Sequence, residues 1–374
     1  MKVVVVAETR EHEHRVALVP ELVARLVGAG LEVVVESGAG RHAMHADSAY
    51  EDAGARVVGA DALDGADVVL SVQPLDPVRV AALRSGAITA SFLPATEETD
   101  VVRAARDAGV TAFSVELVPR ISRAQSMDAL TSQALVAGYR GVLVAAERLP
   151  RFFPLSMTAA GTVPPAEVLV LGAGVAGLQA IATARRLGAR VSAYDVRAAA
   201  AEETRSLGAQ FVELDLPSLE GSGGYAREMT EDRAQQQRDL LAPYVSASDV
   251  LITTAAVPGR TAPLLVDRTA VEQMRTGSVV VDLAAETGGN VEGSVPGAEL
   301  AVGPATLIGG RNVPSQLPVH ASRLYAANLV NLVLLMTSDG KVTPDLADEI
   351  VDGACVTHDG AVRHEHVREA LEGS

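Results

Sequence analysis

Short apolar runs alternate with segments of helical period through the first third of the chain. The runs are "KVVVVA", "LEVVVES", "ADVVLSVQP", "ITASFL" and "VTAFSVEL"; between them fall "PELVARLVGAG", "DSAYEDAGA", "VRVAALRSG" and "TDVVRAARDAG". Apolar runs separated by Gly-terminated helices predict βαβ units and a mostly parallel sheet with helices on both faces. A helix beginning near Ser126 and continuing through Arg148 follows. The Pro-rich "LPRFFPLSMTAAGTVPPAE" then marks a boundary before a fresh strand.

A second series starts at "AEVLVLGAGVAGLQAIATARRLGARVSAYDVR" and adds "SDVLITTAA", "GSVVVDLAA" and "ATLIGG" up to about residue 309. "GSGGYAREMTEDRAQQQRDLL", residues 221 to 241, begins Gly-rich and turns strongly charged with little apolar period, which reads as a long, mobile excursion. A long apolar helix at about 318 to 337 carries the chain back. The expected fold class is α/β, with two Rossmann-like doubly wound parallel-sheet domains, the first discontinuous, joined by long helices around a cleft. Its expected boundaries are 1–135 plus 315–374 for the first domain and 136–314 for the second.

Composition narrows the possibilities. With 374 residues, 48% hydrophobic, 3% aromatic and no Trp, the core has to be built from Val, Ala and Leu, as in α/β proteins with buried parallel sheets. A net charge of −16 repels phosphate backbones and anionic lipid, so nucleic acid is an unsuitable partner. The single Cys355 cannot form an internal disulfide, which fits a reducing compartment. The N-terminus reads as a first strand without a signal peptide, and the longest apolar stretch, "YAANLVNLVLLM", is shorter than the roughly 20 residues needed to cross a bilayer. The expectation is an intracellular chain with no membrane span of its own.

The strongest chemical signal is "VLVLGAGVAGLQAIATARRLGARVSAYDVR". Gly172 permits a tight turn, Gly174 lets backbone approach a pyrophosphate, and Gly177 lets helix and strand pack closely. The helix N-terminus behind them faces phosphates with free N–H groups. Asp195, about twenty residues on, is placed to accept from both ribose hydroxyls and to repel a 2′-phosphate, so NAD is preferred to NADP. Arg197 beside it leaves dual use open. No such glycine turn follows the first strand, where "AETREHEHR" stands.

A dehydrogenase acting on an alcohol or amine needs a proton acceptor near the nicotinamide, and the candidates are poor. His12 and His14, an H-x-H pair of a kind that can bind metal, read rather as a solvated loop, His358, His364 and His366 as a surface tail, and His320 as a cap or interface residue before a helix; no spaced metal set is present, so no metal site is expected. "RISRAQSMDALTSQALVAGY" instead gathers Arg120, Gln125, Asp128 and Thr131, with Ser126 able to cap the helix and Asp128 suited to its first turn. Read structurally, this is capping and a surface ion pair. Read functionally, Arg120, Gln125 and Asp128 hold a nicotinamide amide and ribose without handling a proton. That suits hydride exchange with a second nicotinamide, where near-attack positioning is most of the catalysis.

The stretches "PRISRAQSMDALTSQALVAGYR", "GAGVAGLQAIATARRLGARVSAYDVR", "GGYAREM", "DLAAETGGNVEGS" and "DEIVDGACVTHDGAVRH" together resemble the NAD(H)-binding component of proton-translocating NAD(P) transhydrogenases, over nearly the whole chain. The resemblance implies that Arg120, Gln125 and Asp128 flank the nicotinamide, that Val175 lies near the pyrophosphate, and that Asp195, Val196 and Arg197 surround the adenosine ribose. It also implies that Gly224, Tyr225 and Gln237 belong to a mobile loop closing over the nucleotide, and that Ala256 lines the crevice. Arg227 stands where lysine is expected. The implied assembly is a homodimer, cytoplasmic and attached to the inner face of the cell membrane through NADP(H)-binding and membrane-spanning partner subunits.

Alanine dehydrogenase is the related alternative, sharing the stretch seen here as "EHEHRVALVP" with Arg15. Gln73 and Pro94 stand where its lysine and histidine would fall, and Glu286 replaces an expected aspartate. Loss of a proton acceptor costs about 10²-fold or more in rate, which disfavours that activity. A non-enzymatic nucleotide-sensing module is the third reading.

Overall fold

The computed structural model describes residues 1–216, 231–257 and 259–372. Two compact units are present: Met1–Gln133 with Ser315–Ser374, and Ala134–Pro314.

In the first unit eight strands form one sheet. Across it they run Arg56–Val58, Glu32–Glu36, Lys2–Val5, Val68–Leu70, Ile88–Ser91, Thr111–Ser114, Cys355–His358 and Ala361–Val362. The first six are parallel to one another, while Cys355–His358 pairs antiparallel with both Thr111–Ser114 and Ala361–Val362. The order is third, second, first, fourth, fifth, sixth, so the winding reverses between Lys2–Val5 and Val68–Leu70. Val3 and Val5 pack on one face with Tyr325, Leu329 and Val333 of the helix Pro318–Leu335. Val4 and Val69 pack on the other with Leu83 and Val102. Both faces are covered, which is why these strands are unbroken apolar runs rather than alternating ones.

The second unit repeats the plan with Gln210–Phe211, Arg190–Tyr194, Glu167–Leu171, Val250–Thr253, Val279–Asp282, Ala305–Gly309 and, antiparallel at the edge, Glu299–Val302. Leu169, Leu171 and Leu251 meet Leu241 and Val245 on one face; Val168, Val170 and Ile252 meet Ile181, Ala184 and Val142 on the other. The helix Ala129–Arg148 approaches the helix Val175–Arg186 so closely that a Cβ on Gly138 would lie 2.0 Å from the Ala176 carbonyl oxygen.

Three local expectations are corrected. The long helix starts at Ala129, not near Ser126, because Ser122–Met127 forms a 3₁₀ segment. The charged half of the excursion is a helix, Glu231–Ser246, held down by Gln237, Leu241 and Val245 at i, i+4 and i+8. His320 lies exposed within the first turn of Pro318–Leu335 rather than ahead of it. Among the described residues no helix is long and apolar enough to cross a membrane.

Candidate functional site

In the second unit the winding reverses between Glu167–Leu171 and Val250–Thr253, and ligands of such sheets bind outside the strand C-termini at that reversal. Gly172 adopts φ +95°, which favours glycine. A Cβ on Gly177 would fall 1.8 Å from the Gly172 carbonyl oxygen, so helix and strand touch backbone to backbone. A Cβ on Gly174 would meet only the Arg197 Nη2, at 4.0 Å, which leaves space above the turn for an approaching group. Val175 opens the helix Val175–Arg186 and is 38% exposed. The turn, the open face and the helix start fit a pyrophosphate.

Asp195 follows the adjacent strand, with its side chain 7% exposed. Its Oδ2 accepts from the Ala173 N–H at 2.7 Å and from Arg197 Nη2 at 2.9 Å; its Oδ1 accepts from the Arg197 N–H and Nε, both at 2.9 Å. A carboxylate has about four lone-pair positions, and here all are engaged. The bond to the loop N–H recurs in the first unit, where Glu36 Oε2 accepts from the Ala7 N–H at 3.0 Å, so that contact belongs to the fold itself. Val196 is half-buried beside the pair, and Ala256 is exposed beyond the strand Val250–Thr253. Gln237 is 1% exposed, and its Nε2 has no hydrogen-bond partner among the described residues. Gly224, Tyr225 and Arg227 lie outside the described residues.

Arg120, Gln125 and Asp128 belong to the first unit. Arg120 and Gln125 are exposed. Asp128, not Ser126, caps the long helix: its Oδ1 accepts from the Thr131 N–H at 2.8 Å and its Oδ2 from Thr131 Oγ1 at 2.6 Å. The Ser126 carbonyl is drawn away to Asn328 and Asn331 Nδ2, at 3.0 and 2.9 Å. The surface ion pair of this stretch is Arg123 with Asp348, at 2.6 and 3.1 Å.

Sequence reasoning missed a buried polar cluster at the strand reversal of the first unit. Glu13 and Arg15, 4% and 5% exposed, pair through Arg15 Nη2–Oε2 at 2.6 Å and Nε–Oε1 at 2.8 Å. Gln133 Oε1 accepts from Arg15 Nη1 at 3.0 Å, Gln73 Nε2 donates to Glu13 Oε2 at 2.8 Å, and Ser315 Oγ donates to Glu13 Oε1 at 3.1 Å. Glu8 accepts from the Val72 and Gln73 N–H groups at 2.6 and 3.1 Å. The sequence signal was the spacing Glu8, Glu13, Arg15 in a loop where a glycine turn would otherwise stand.

Burial pushes the Glu8 carboxyl up to about 7, against the two N–H groups. Burial would raise Glu13 as well, but hydrogen bonds and charge from Arg15, with Gln73, bring it down to about 2. The stabilisation linked to Glu8 is therefore full below pH 4.5 and lost as pH rises through 7. That linked to Glu13 is present above pH 4.5 and lost as pH falls through 2. Glu8→Gln is expected to flatten part of the fall in melting temperature between pH 5 and 8, leaving the part due to Glu116, also pushed by burial to about 7. An unchanged slope in calorimetry would contradict this.

Gln73 and Pro94 bring no titrating group to the first unit's strand ends; Pro94 lies in a turn, its carbonyl accepting from the Glu97 and Glu98 N–H groups at 2.9 Å each. Glu286 is exposed and accepts from the Asn312 N–H at 3.0 Å.

Two doubly wound sheets, one carrying a glycine turn, an open helix start and a carboxylate beyond the neighbouring strand, define the dinucleotide-binding class of α/β proteins. Comparison with known proteins makes this specific. The family models "Alanine dehydrogenase/PNT, N-terminal domain" and "Alanine dehydrogenase/PNT, C-terminal domain" match residues 4–137 and 141–365. The chain belongs to the alanine dehydrogenase/PNT family, whose members bind nicotinamide nucleotides. It is 47% identical to the first part of NAD(P) transhydrogenase subunit alpha from Rhodospirillum rubrum, over 97% of this chain and 98% of that one. It is 31% identical to alanine dehydrogenase of Mycobacterium tuberculosis, over 99% and 97%. The crystal structure of transhydrogenase from Sinorhizobium meliloti superposes with a TM-score of 0.86 at 43% identity, covering 98% of this chain and 99% of that one.

Proposed function

We propose that this chain is the NAD(H)-binding subunit of a proton-translocating NAD(P) transhydrogenase, acting with partner subunits that hold NADP(H) and span the membrane. The observation that carries this reading is the second unit's crevice, with its open Gly174 face and Asp195 at the ribose position, in a chain that has Gln73 and Pro94 where a proton acceptor would stand. When bound, NADH would supply a hydride for direct transfer to NADP⁺ held by the partner.

The chain's own residues bind and orient. Gly172, Gly174, Val175 and Gly177 receive the pyrophosphate, with Asp195, Val196 and Arg197 at the adenosine ribose. Because every lone-pair position of Asp195 is engaged, sugar hydroxyls are accepted there only as the Arg197 guanidinium swings off. Arg197 already lies over the glycine turn, so the freed cation is well placed for the phosphates. Arg120, Gln125 and Asp128 hold the nicotinamide end, Asp128 keeping its orientation through Thr131. Gln237 and Ala256 complete the site together with Gly224 and Tyr225.

The subunit works as a homodimer at the cytoplasmic face. Phe152, Leu155 and Met157, 60%, 53% and 75% exposed, lie on and just before the two-stranded ribbon Ser156–Thr158 and Gly161–Val163, and a second copy would cover them.

Mixing the purified chain with an NADP(H)-binding partner tests the function. Hydride exchange between NADH and NADP⁺ with no amino acid present is the expected result. Alanine-dependent NADH formation by the chain alone would point instead to the alanine dehydrogenase reading. Comparable affinity for NADH and NADPH would remove Asp195 from its assigned role.

A further inference from the structure

Beyond the strand Val250–Thr253, Thr254 Oγ1 donates to the Gly172 carbonyl at 3.0 Å, so this segment lies against the glycine turn. The next peptide is gripped on both sides by Asn290. The Asn290 Oδ1 accepts from the Ala255 N–H at 3.0 Å, and its Nδ2 donates to the Ala255 carbonyl at 2.7 Å and the Pro263 carbonyl at 2.8 Å. Asn290 is fully buried, as is Asp282, which holds it from behind. Asp282 Oδ2 accepts from the Asn290 and Val291 N–H groups at 2.9 and 3.2 Å; its Oδ1 accepts from Thr253 Oγ1 at 2.9 Å and the Ala284 N–H at 3.0 Å. Consecutive left-handed glycines, Gly288 at φ +107° and Gly289 at φ +82°, bring the chain round to this position. A Cβ on Gly289 would stand 2.9 Å from Asp282 Oδ2.

An unbroken path of hydrogen bonds therefore runs from Asp282 through Asn290 to the Ala255 peptide, with Ala256 exposed just beyond it. We propose that Asn290 is a positioning residue for the coenzyme: with Asp282 it fixes the Ala255 peptide so that Ala256 presents its backbone to the half of a dinucleotide remote from the adenosine. The proposal rests on the NAD(H) site proposed above. Asp195 and Ala255 follow strands on opposite sides of Glu167–Leu171, and a dinucleotide lies across such a crevice with one half on each side. Only a primary amide offers the one acceptor and two donors used here. Aspartate at this position would lose both donors and set a charge against two carbonyls; serine would keep at most one donor.

The test uses the full chain and the probes NADH and AMP. Asn290→Ser and Asn290→Asp are expected to weaken NADH binding about tenfold while leaving AMP affinity within about twofold of the parent. In the unaltered chain, exchange of the Ala255 amide hydrogen is expected to be slowed at least about a hundredfold, although its neighbour Ala256 is exposed. Parallel losses for NADH and AMP would mark a merely structural role and overturn the proposal, as would unchanged NADH affinity or fast exchange at Ala255. A parent chain that binds neither probe overturns the nucleotide site itself, and the positioning role with it.

Discussion

Gly177→Ala is expected to abolish useful dinucleotide binding, because the added methyl would sit 1.8 Å from the Gly172 carbonyl oxygen and 3.2 Å from Thr254 Oγ1. Neither neighbour is the free end of a flexible side chain. Gly172 is locked in a left-handed turn and Thr254 is bonded to it, so relief requires the helix Val175–Arg186 to move off the sheet. Overpacking of this kind costs roughly 1–3 kcal/mol. The displacement also carries the helix N-terminus away from the phosphates it would face, and NADH affinity should fall by about 100-fold. A fluorescence titration of NADH, with circular dichroism to check helix content, measures the effect. An affinity equal to that of the parent would show that the close approach has no bearing on the site.

Arg15→Leu is expected to be the most destabilising single change in the first unit, by roughly 3–5 kcal/mol, because it leaves Glu13 charged in the interior without its cation. Glu13 then loses the Nε and Nη2 donors at 2.8 and 2.6 Å and retains Gln73, Ser315 and the residue 15 backbone N–H. Its carboxyl, brought to about 2 chiefly by Arg15, should titrate higher, so the loss should shrink as pH falls and Glu13 is protonated. The double variant Glu13→Leu with Arg15→Leu removes both charges and should recover most of the loss, since apolar replacement of a whole buried pair is often neutral or stabilising. Denaturant unfolding of the parent, the single variant and the double variant forms the test. A double variant no more stable than the single one would contradict an uncompensated charge as the cause.

These two sites differ in how far the sequence revealed them. The glycine turn could be read directly, because a strand, three glycines, a helix and an acid at the end of the next strand are local features with fixed spacing. Its close contact with Thr254, about eighty residues on, could not. The polar cluster of the first unit was visible only as Glu8, Glu13 and Arg15 in a loop, and their burial depends on Gln73, Gln133 and Ser315, which come from distant parts of the chain. The start of the long helix was misplaced for the same reason. Ser126 is a good capping residue by composition, but Asn328 and Asn331 take its carbonyl and Asp128 assumes the cap. The helix Glu231–Ser246 escaped detection because Gln237 occupies a buried position that an apolar period would have marked.

By itself the amino-acid order determined the α/β class, since uninterrupted Val-rich runs are stable only in parallel strands covered on both faces, and short-range spacing determined the glycine turn with Asp195 beyond it. Folding alone decided which polar groups became partners: Arg197 on Asp195, Arg15 on Glu13, Asn290 on the Ala255 peptide. Periodicity is a property of neighbours in sequence, whereas a buried hydrogen bond is chosen by whichever donor and acceptor are excluded from water together, and that depends on how strands far apart in the chain come to lie side by side.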